Sequence, residues 1–82
     1  MGTNAFEEAL EARYREIFGR FRSADEYVGL EVGAAWSLAF ESGVTHIRRF
    51  DAREQFGLRW EYLPERLNLL CADGVVMQAV WF

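Results

Sequence analysis

Apolar residues alternate with small or polar ones along the middle of the chain. From position 28 to position 40 every even-numbered residue is apolar, whereas the odd-numbered residues are mostly glycine, alanine or serine. Such alternation is typical of a β-strand with one buried face. It therefore predicts extended structure here, with a core face made of Val28, Leu30, Val32, Trp36, Leu38 and Phe40.

A helix is the second interpretation of this segment. Its alanine, leucine, tryptophan and glutamate residues are tolerated in helices, and Ser23 with Glu26 has the spacing of a capping box. Two glycines and the strict alternation favour strand structure instead. Because a straight strand of this length would span about 40 Å at roughly 3.3 Å per residue, it must bend. The bend is predicted as a hairpin reversing at residues 33–35, or as a bulge at Gly33.

The segment before it predicts an amphipathic helix. Apolar residues recur there at three- and four-residue steps, and Asn4 with Glu7 has capping-box spacing. We expect this helix to cover roughly residues 4–22. Its apolar stripe consists of Phe6, Leu10, Tyr14, Ile17 and Phe21, and its predicted surface ion pairs are Glu11 with Arg15 and Glu16 with Arg20.

Turn and strand signals continue in the second half. Ser42-Gly43 is a turn candidate that would pair the next strand with the preceding one. Apolar and charged residues alternate from position 58 to position 62, which predicts a half-buried strand ended by Pro64.

The last eighteen residues contain the clearest hairpin signal. Residues 65–72 fit either a short helix or a strand, but Asp73-Gly74 separates them from a run rich in β-branched and aromatic residues. We favour a hairpin because that final run needs a partner strand. The chain is thus predicted to form an α+β fold, with one long N-terminal helix packed on an antiparallel β-sheet, a meander of four to six strands.

Composition limits the size and class of the protein. The chain has 82 residues, of which 51% are hydrophobic, which suits one domain spanning residues 1–82. Its apolar runs are far shorter than the roughly 20 residues that cross a membrane, and its beginning does not resemble a secretion signal. We therefore expect a cytoplasmic protein that has no contact with membranes.

Residues suited to catalysis or metal binding are scarce. Cys71 and His46 are the only cysteine and histidine, so an internal disulfide is excluded and a zinc site is not expected. A nucleophilic Cys–His pair would also need an orienting group, and Cys71 lies in an apolar run typical of a core. We predict no catalytic residue, no metal and no cofactor.

Charge argues against direct binding of nucleic acid. The net charge is −4, although arginines cluster after position 47. Arg48 and Arg49 should point to opposite faces of a strand, and acidic residues interleave with the cluster. Local ion pairs are the favoured interpretation of these arginines, which are Arg48, Arg49, Arg53 and Arg59.

Aromatic content indicates a protein partner. Thirteen of the 82 residues are Phe, Trp or Tyr, and a single helix covers only part of a sheet. Some aromatic side chains should therefore lie near solvent, where they usually mark an interface. The candidates for such exposure are Tyr27, Phe50, Tyr62, Trp81 and Phe82.

The leading functional hypothesis is a small non-catalytic protein-binding module. An acidic face can occupy a basic groove where nucleic acid normally binds, and inhibitors from phages or mobile elements, such as anti-CRISPR proteins, act in this way. The expected partner is a larger protein, and a nucleic-acid-binding complex is one candidate. The predicted partner-binding residues are Asp25, Glu26, Tyr27, Glu31 and Glu41.

Two alternatives belong to other classes. The chain could be a structural or regulatory homodimer joined through an uncovered sheet face or strand edge. It could also be a small-molecule-binding domain, with a pocket between helix and sheet lined by Tyr14, Trp36 and Tyr62.

Overall fold

The computed structural model describes residues 5–52 and 63–82. The chain runs through a helix, a short strand, a single 3-10 turn at Asp25–Tyr27, a second helix and three further strands. The helices are α1 (Ala5–Phe18) and α2 (Val32–Glu41), and the strands are β1 (Arg22–Ser23), β2 (His46–Asp51), β3 (Arg66–Ala72) and β4 (Val75–Trp81).

The sheet has four described strands in the order β1-β4-β3-β2 and is mixed. β4 pairs antiparallel with β1 and β3, whereas β2 runs parallel to β3, with His46 opposite Arg66 and Asp51 opposite Cys71. The predicted α+β class is confirmed, but a purely antiparallel meander is wrong. Parallel neighbours need a connection of about a dozen residues or more, and residues 52–65 provide it.

The C-terminal hairpin forms as predicted. Residues 66–72 are a strand rather than a helix, and β3 pairs with β4 from Leu67 opposite Trp81 to Ala72 opposite Val75. Asp73 and Gly74 both have positive φ, at 52° and 78°, as the type I′ turn of a two-residue hairpin loop requires. The predicted strand at positions 58–62 lies outside the described residues.

The first helix is shorter than predicted. α1 ends at Phe18, and residues 19–21 continue as turns in which the amides of Arg20 and Phe21 bond to the carbonyls of Ile17 and Phe18. The two predicted surface ion pairs do form, at 3.2 and 3.3 Å. The capping residues at positions 4 and 7 cannot be compared, because Asn4 and the Glu7 side chain lie outside the described part of the chain.

The prediction of a strand at positions 28–40 is wrong over most of its length. Residues 32–41 are helical, and the Glu31 carboxylate caps the helix by accepting from the amides of Gly33 and Ala34 at 3.0 and 3.2 Å. Gly43, at φ +90°, ends it, and the amide of Val44 bonds back to the carbonyl of Ala39 at 3.0 Å. Ser42-Gly43 is therefore a helix end rather than a hairpin turn.

The two helices cover opposite faces of the sheet. α1 packs on the face that carries Phe50, Leu70 and Val80, whereas α2 packs on the face that carries Leu67, Leu69 and Cys71. On the α1 side the core is aromatic: the ring of Phe18 makes edge-to-face contacts with Phe50 at 5.7 Å and with Phe82 at 5.5 Å. On the α2 side, Ala35 and Ala39 are fully buried in a cluster that also contains Ala24, Tyr27, Val76 and Ala79.

Neither of the described helices is long and apolar enough to cross a membrane.

Candidate functional site

Phe40 on α2 is the most exposed large apolar side chain among the described residues, and Trp36 and Leu38 of the same helix are exposed as well. Phe40 is 70% exposed, Trp36 40% and Leu38 39%, although all three were predicted to lie in the core. The reason is geometric: successive residues of a helix point about 100° apart, so even-numbered positions spread around α2 instead of sharing one face.

One side of α2 carries a continuous exposed row of four residues, which we call the α2 stripe: Gly33, Trp36, Ser37 and Phe40. Their spacing of three, four and seven positions places them above one another on a helix. Large and small residues alternate along this row. The α2 stripe thus presents two aromatic side chains separated by positions with little or no side chain.

The composition of α2 is unusual for a surface helix. Its sequence is VGAAWSLAFE, so Ser37 and Glu41 are the only polar residues in ten positions. A helix that is apolar all round is normally covered on every side. Here the sheet covers Ala35 and Ala39, and Phe40 stays largely exposed. The outer side of α2 is therefore the best candidate for a contact surface in the described chain.

The predicted acidic binding residues do not form one face. Asp25 and Glu26 are exposed in the 3-10 turn, whereas the ring of Tyr27 is buried beneath α2 at 3% exposure. Glu31 caps the start of α2 and Glu41 ends it, about 15 Å away at 1.5 Å per residue. Tyr27, Glu31 and Glu41 were assigned to the strand face opposite the predicted core face, and that strand face does not exist because residues 32–41 are helical.

Cys71 and His46 do not come together. Cys71 is buried on β3, and burial raises the pKa of its thiol, with Asp51 adding to this effect and Arg49 opposing it. His46 is exposed at the start of β2, five strand positions from the residue opposite Cys71, or about 16 Å. A buried thiol with a raised pKa is a poor nucleophile.

The arginines of β2 do point to opposite faces. Arg49 is exposed on the α2 side. Arg48 is half-buried on the α1 side, with its guanidinium 5.1 Å from the ring centres of both Phe50 and Phe82. Arg53 and Arg59, the other two arginines of the sequence cluster, lie outside the described residues.

Asn68 organises the polar groups around Arg48. Its side chain is fully buried and accepts from Nε of Arg48 at 2.6 Å. Its amide nitrogen donates to three backbone oxygens at 3.1–3.2 Å, those of Arg66, Val80 and Phe82. This network joins β2, β3 and the residue after β4, and the Asn68 side chain bonds through both its oxygen and its nitrogen, as in a structural element. Asn68 was not identified from the sequence. The signal that could have identified it is a lone asparagine in an otherwise apolar strand.

The aromatic residues proposed for exposure are mostly in the core. Tyr27, Phe50 and Phe82 are buried, Trp81 is half-buried under Arg22, and Tyr62 lies outside the described residues. Tyr14 and Trp36, proposed to line one pocket, lie on opposite sides of the sheet. Open cavities of about 310 and 280 Å³ occur elsewhere, at the α1–β4 edge and around Arg22, near the lower limit for ligand sites.

Metal-binding geometry is absent from the part of the chain that the structure covers, where no group of three His, Cys, Asp or Glu side chains converges. Comparison of the chain with known protein families, curated proteins and solved structures finds no match. The functional argument therefore depends on the surface of α2 alone.

Proposed function

We propose that this protein is a non-catalytic protein-binding module and that the outer side of α2 is its contact surface. The observation that carries the proposal is the 70% exposure of Phe40 beside Trp36, on a helix with two polar residues in ten. Exposed aromatic pairs at helical spacing are the usual anchors by which one helix docks against another protein.

The energetics support the same assignment. Covering a phenylalanine side chain contributes about 1.5–3 kcal/mol when it is fully removed from water. Inside the chain, α2 obtains its contact with the sheet from alanines and keeps the larger side chain of Phe40 in solvent. The unused apolar surface is therefore available for association.

The surrounding charge supports a basic partner surface. Asp25 and Glu26 are exposed in the 3-10 turn, Glu41 is exposed at the end of α2, and the net charge of the chain is −4. Exposed carboxylates on a protein-binding module suit a groove that normally binds phosphates, so we keep inhibition of a larger nucleic-acid-binding protein as the leading biological role. In this role the protein itself binds no nucleic acid.

The proposal is tested by capture from the native host. We would compare the unmodified protein with Phe40→Glu and with Ala34→Glu, which adds the same charge to the same helix outside the α2 stripe. Proteins retained by the unmodified protein and by Ala34→Glu, but lost with Phe40→Glu, are the expected result. Equal retention by all three would show that α2 is not the contact surface.

Charge mimicry is tested separately, by titrating salt against the binding of a captured partner. If carboxylates replace phosphates, the affinity weakens steadily as ionic strength rises. Affinity that does not change with salt would eliminate charge mimicry and leave binding through apolar contacts.

A further inference from the structure

We infer that the cavity between the end of α1 and the edge of β4 binds a small aromatic amine in its ammonium form. The cavity has a volume of about 310 Å³, and none of its described lining residues belongs to α2. The inference therefore goes beyond the proposed function and does not depend on it.

The cavity exists because the chain leaves the edge of β4 over a short distance. The amide of Ala24 donates to the carbonyl of Ala79 at 2.7 Å, and the amide of Gly29 donates to the carbonyl of Val76 at 2.8 Å. Residues 25–28 lie between these two bonds and contain the 3-10 turn, but they have only residues 77 and 78 of β4 opposite them. Four residues cannot follow two in a regular ladder, so the turn stands away from the strand and leaves space beside it.

A β-bulge in β4 lies beside this space. Leu70 pairs with Gln78 and Cys71 pairs with Val76, so Met77 is an extra residue on β4. A bulge bends its strand and re-aims side chains, and bulges are common next to functional sites. Here Met77 and Gln78 both line the cavity.

Most of the lining is apolar, and part of it is aromatic. The rings of Phe18 and Phe21 are held in place by Phe82, which contacts the first edge-to-face at 5.5 Å and stacks on the second at 4.3 Å. The wall is therefore formed before any ligand binds, and it suits an apolar or aromatic body. The apolar lining residues with large side chains are Phe18, Phe21, Val28, Met77 and Val80.

The amide of Gln78 favours a ligand that donates a hydrogen bond. Gln78 is half-buried, and its side-chain oxygen is buried with no hydrogen-bond partner among the described residues. An unpartnered buried acceptor is costly, and a donor that reaches it recovers this cost. Rotation of the terminal amide, which is soft in glutamine, can present the oxygen to a donor in the cavity.

Charge selects a cation. Asp25 is the one charged residue among the described lining residues, and its exposed carboxylate makes no ion pair with the described part of the chain. Ser23 adds a hydroxyl that can also accept. A primary ammonium has three N–H donors and a positive charge, so it suits both kinds of acceptor, whereas an anionic ligand would be repelled by Asp25.

Titration of the isotope-labelled full chain with phenethylamine, followed by NMR, tests the inference. We expect saturable shifts of the amide signals of Gly19, Met77 and Gln78, with a dissociation constant of about 0.1–1 mM for so small a ligand. Hydrocinnamate, the carboxylate with the same ring and spacer, should bind at least about 10-fold more weakly because its charge is opposite.

Substitutions separate the two polar contributions. Gln78→Leu removes the acceptor at similar size and should weaken phenethylamine binding about 5- to 10-fold. Asp25→Asn removes the charge at an exposed position and should weaken binding about threefold or more. Glu26→Gln removes the same charge from the same turn, outside the cavity lining, and should bind like the unmodified protein. Thermal unfolding of each variant checks that the fold is retained.

Three results would each overturn the inference. They are the absence of saturable shifts with phenethylamine, equal affinity for hydrocinnamate, and unchanged affinity in folded Gln78→Leu or Asp25→Asn. Because Asp25 is exposed, its variant keeps the test available even if Gln78→Leu does not fold. Capture of a protein partner through Phe40 does not depend on any of these results, so the two proposals fail separately.

Discussion

The two helices of this protein pack in opposite ways. α1 directs Tyr14, Ile17 and Phe18 into the core and carries its charges, including two ion pairs, on the outer side. α2 directs Ala35 and Ala39 into the core and leaves Trp36 and Phe40 outside. The first arrangement is that of a helix at the surface of a monomer, whereas the second leaves apolar surface uncovered.

The comparison shows that helix burial cannot be inferred from hydrophobicity alone. Alanine lets a helix approach a sheet closely, but this contact uses little apolar area per residue. The largest side chains of α2, those of Trp36, Leu38 and Phe40, stay 39–70% exposed outside this contact. The contrast predicts that α1 determines stability and α2 determines association.

The largest expected difference is between two phenylalanines. Phe18→Ala should lower the free energy of unfolding by about 3–5 kcal/mol, because it removes a fully buried ring that contacts Phe50 and Phe82. Phe40→Ala should change it by less than about 0.5 kcal/mol at protein concentrations where the chain is monomeric. Urea denaturation measures both, and equal losses would break the contrast between the helices.

The polar network gives the next effect. Asn68→Ala should cost about 2–3 kcal/mol, since it removes the acceptor of Arg48 Nε and the donor shared by three backbone oxygens. Asn68→Asp tests the chemistry of this loss, because it keeps the size and removes the amide donors. If both variants matched the unmodified protein in urea denaturation, the network would have no role in stability.

The alanine contact of α2 is sensitive to volume. Ala39→Leu should lower the free energy of unfolding by about 1–3 kcal/mol, because no space exists at a position with 0% exposure. Ala34→Leu, the same substitution at an exposed position of α2, should be nearly neutral. Thermal unfolding of the pair measures the difference, and tolerance of leucine at position 39 would mean that α2 is loosely packed.

Alkaline pH should act on the α2 side of the sheet. Burial raises the pKa values of both Cys71 and Tyr27; Glu26 adds to the effect on Tyr27, and Ser42 opposes it. Both groups are neutral when protonated. Their pKa values are lower in the unfolded chain, so they lose their protons there at a lower pH than in the folded protein. The contribution of these two groups to the free energy of unfolding should therefore be constant below about pH 8 and fall as pH rises beyond about 9.

Urea denaturation between pH 7 and pH 10.5 measures this fall. Modification of Cys71 by a thiol reagent should be slow in the native protein and fast in urea. Rapid modification of Cys71 in the native protein, or a free energy of unfolding that rises with pH, would contradict the burial of Cys71 and Tyr27.

Local sequence signals were sufficient to predict the first helix and the C-terminal hairpin. The stripe and ion pairs of α1 are properties of consecutive turns, and the Asp73-Gly74 turn is set by the backbone preferences of two residues. Both predictions could be made without knowledge of the rest of the fold. The middle segment was different, because its alternation also fits a helix in which nearly every residue is apolar.

The candidate site was visible in the sequence but was assigned to the wrong environment. Trp36 and Phe40 were recognised as apolar, and their position in a supposed strand placed them in the core. Glu31 was taken as a binding carboxylate, yet its oxygens bond to the amides of Gly33 and Ala34. Glutamate is not among the preferred N-cap residues, so the sequence contained no cap signal at this position.

The sequence by itself determined the α+β class, the first helix and the final hairpin, because these depend on interactions between residues close in the chain. Tertiary structure decided that β2 lies parallel to β3 and that α2 packs on the sheet through alanines. Those outcomes depend on contacts between segments that are distant in the chain, so local sequence patterns do not predict them. Because α2 packs on the sheet through Ala35 and Ala39, Trp36 and Phe40 of the α2 stripe stay exposed.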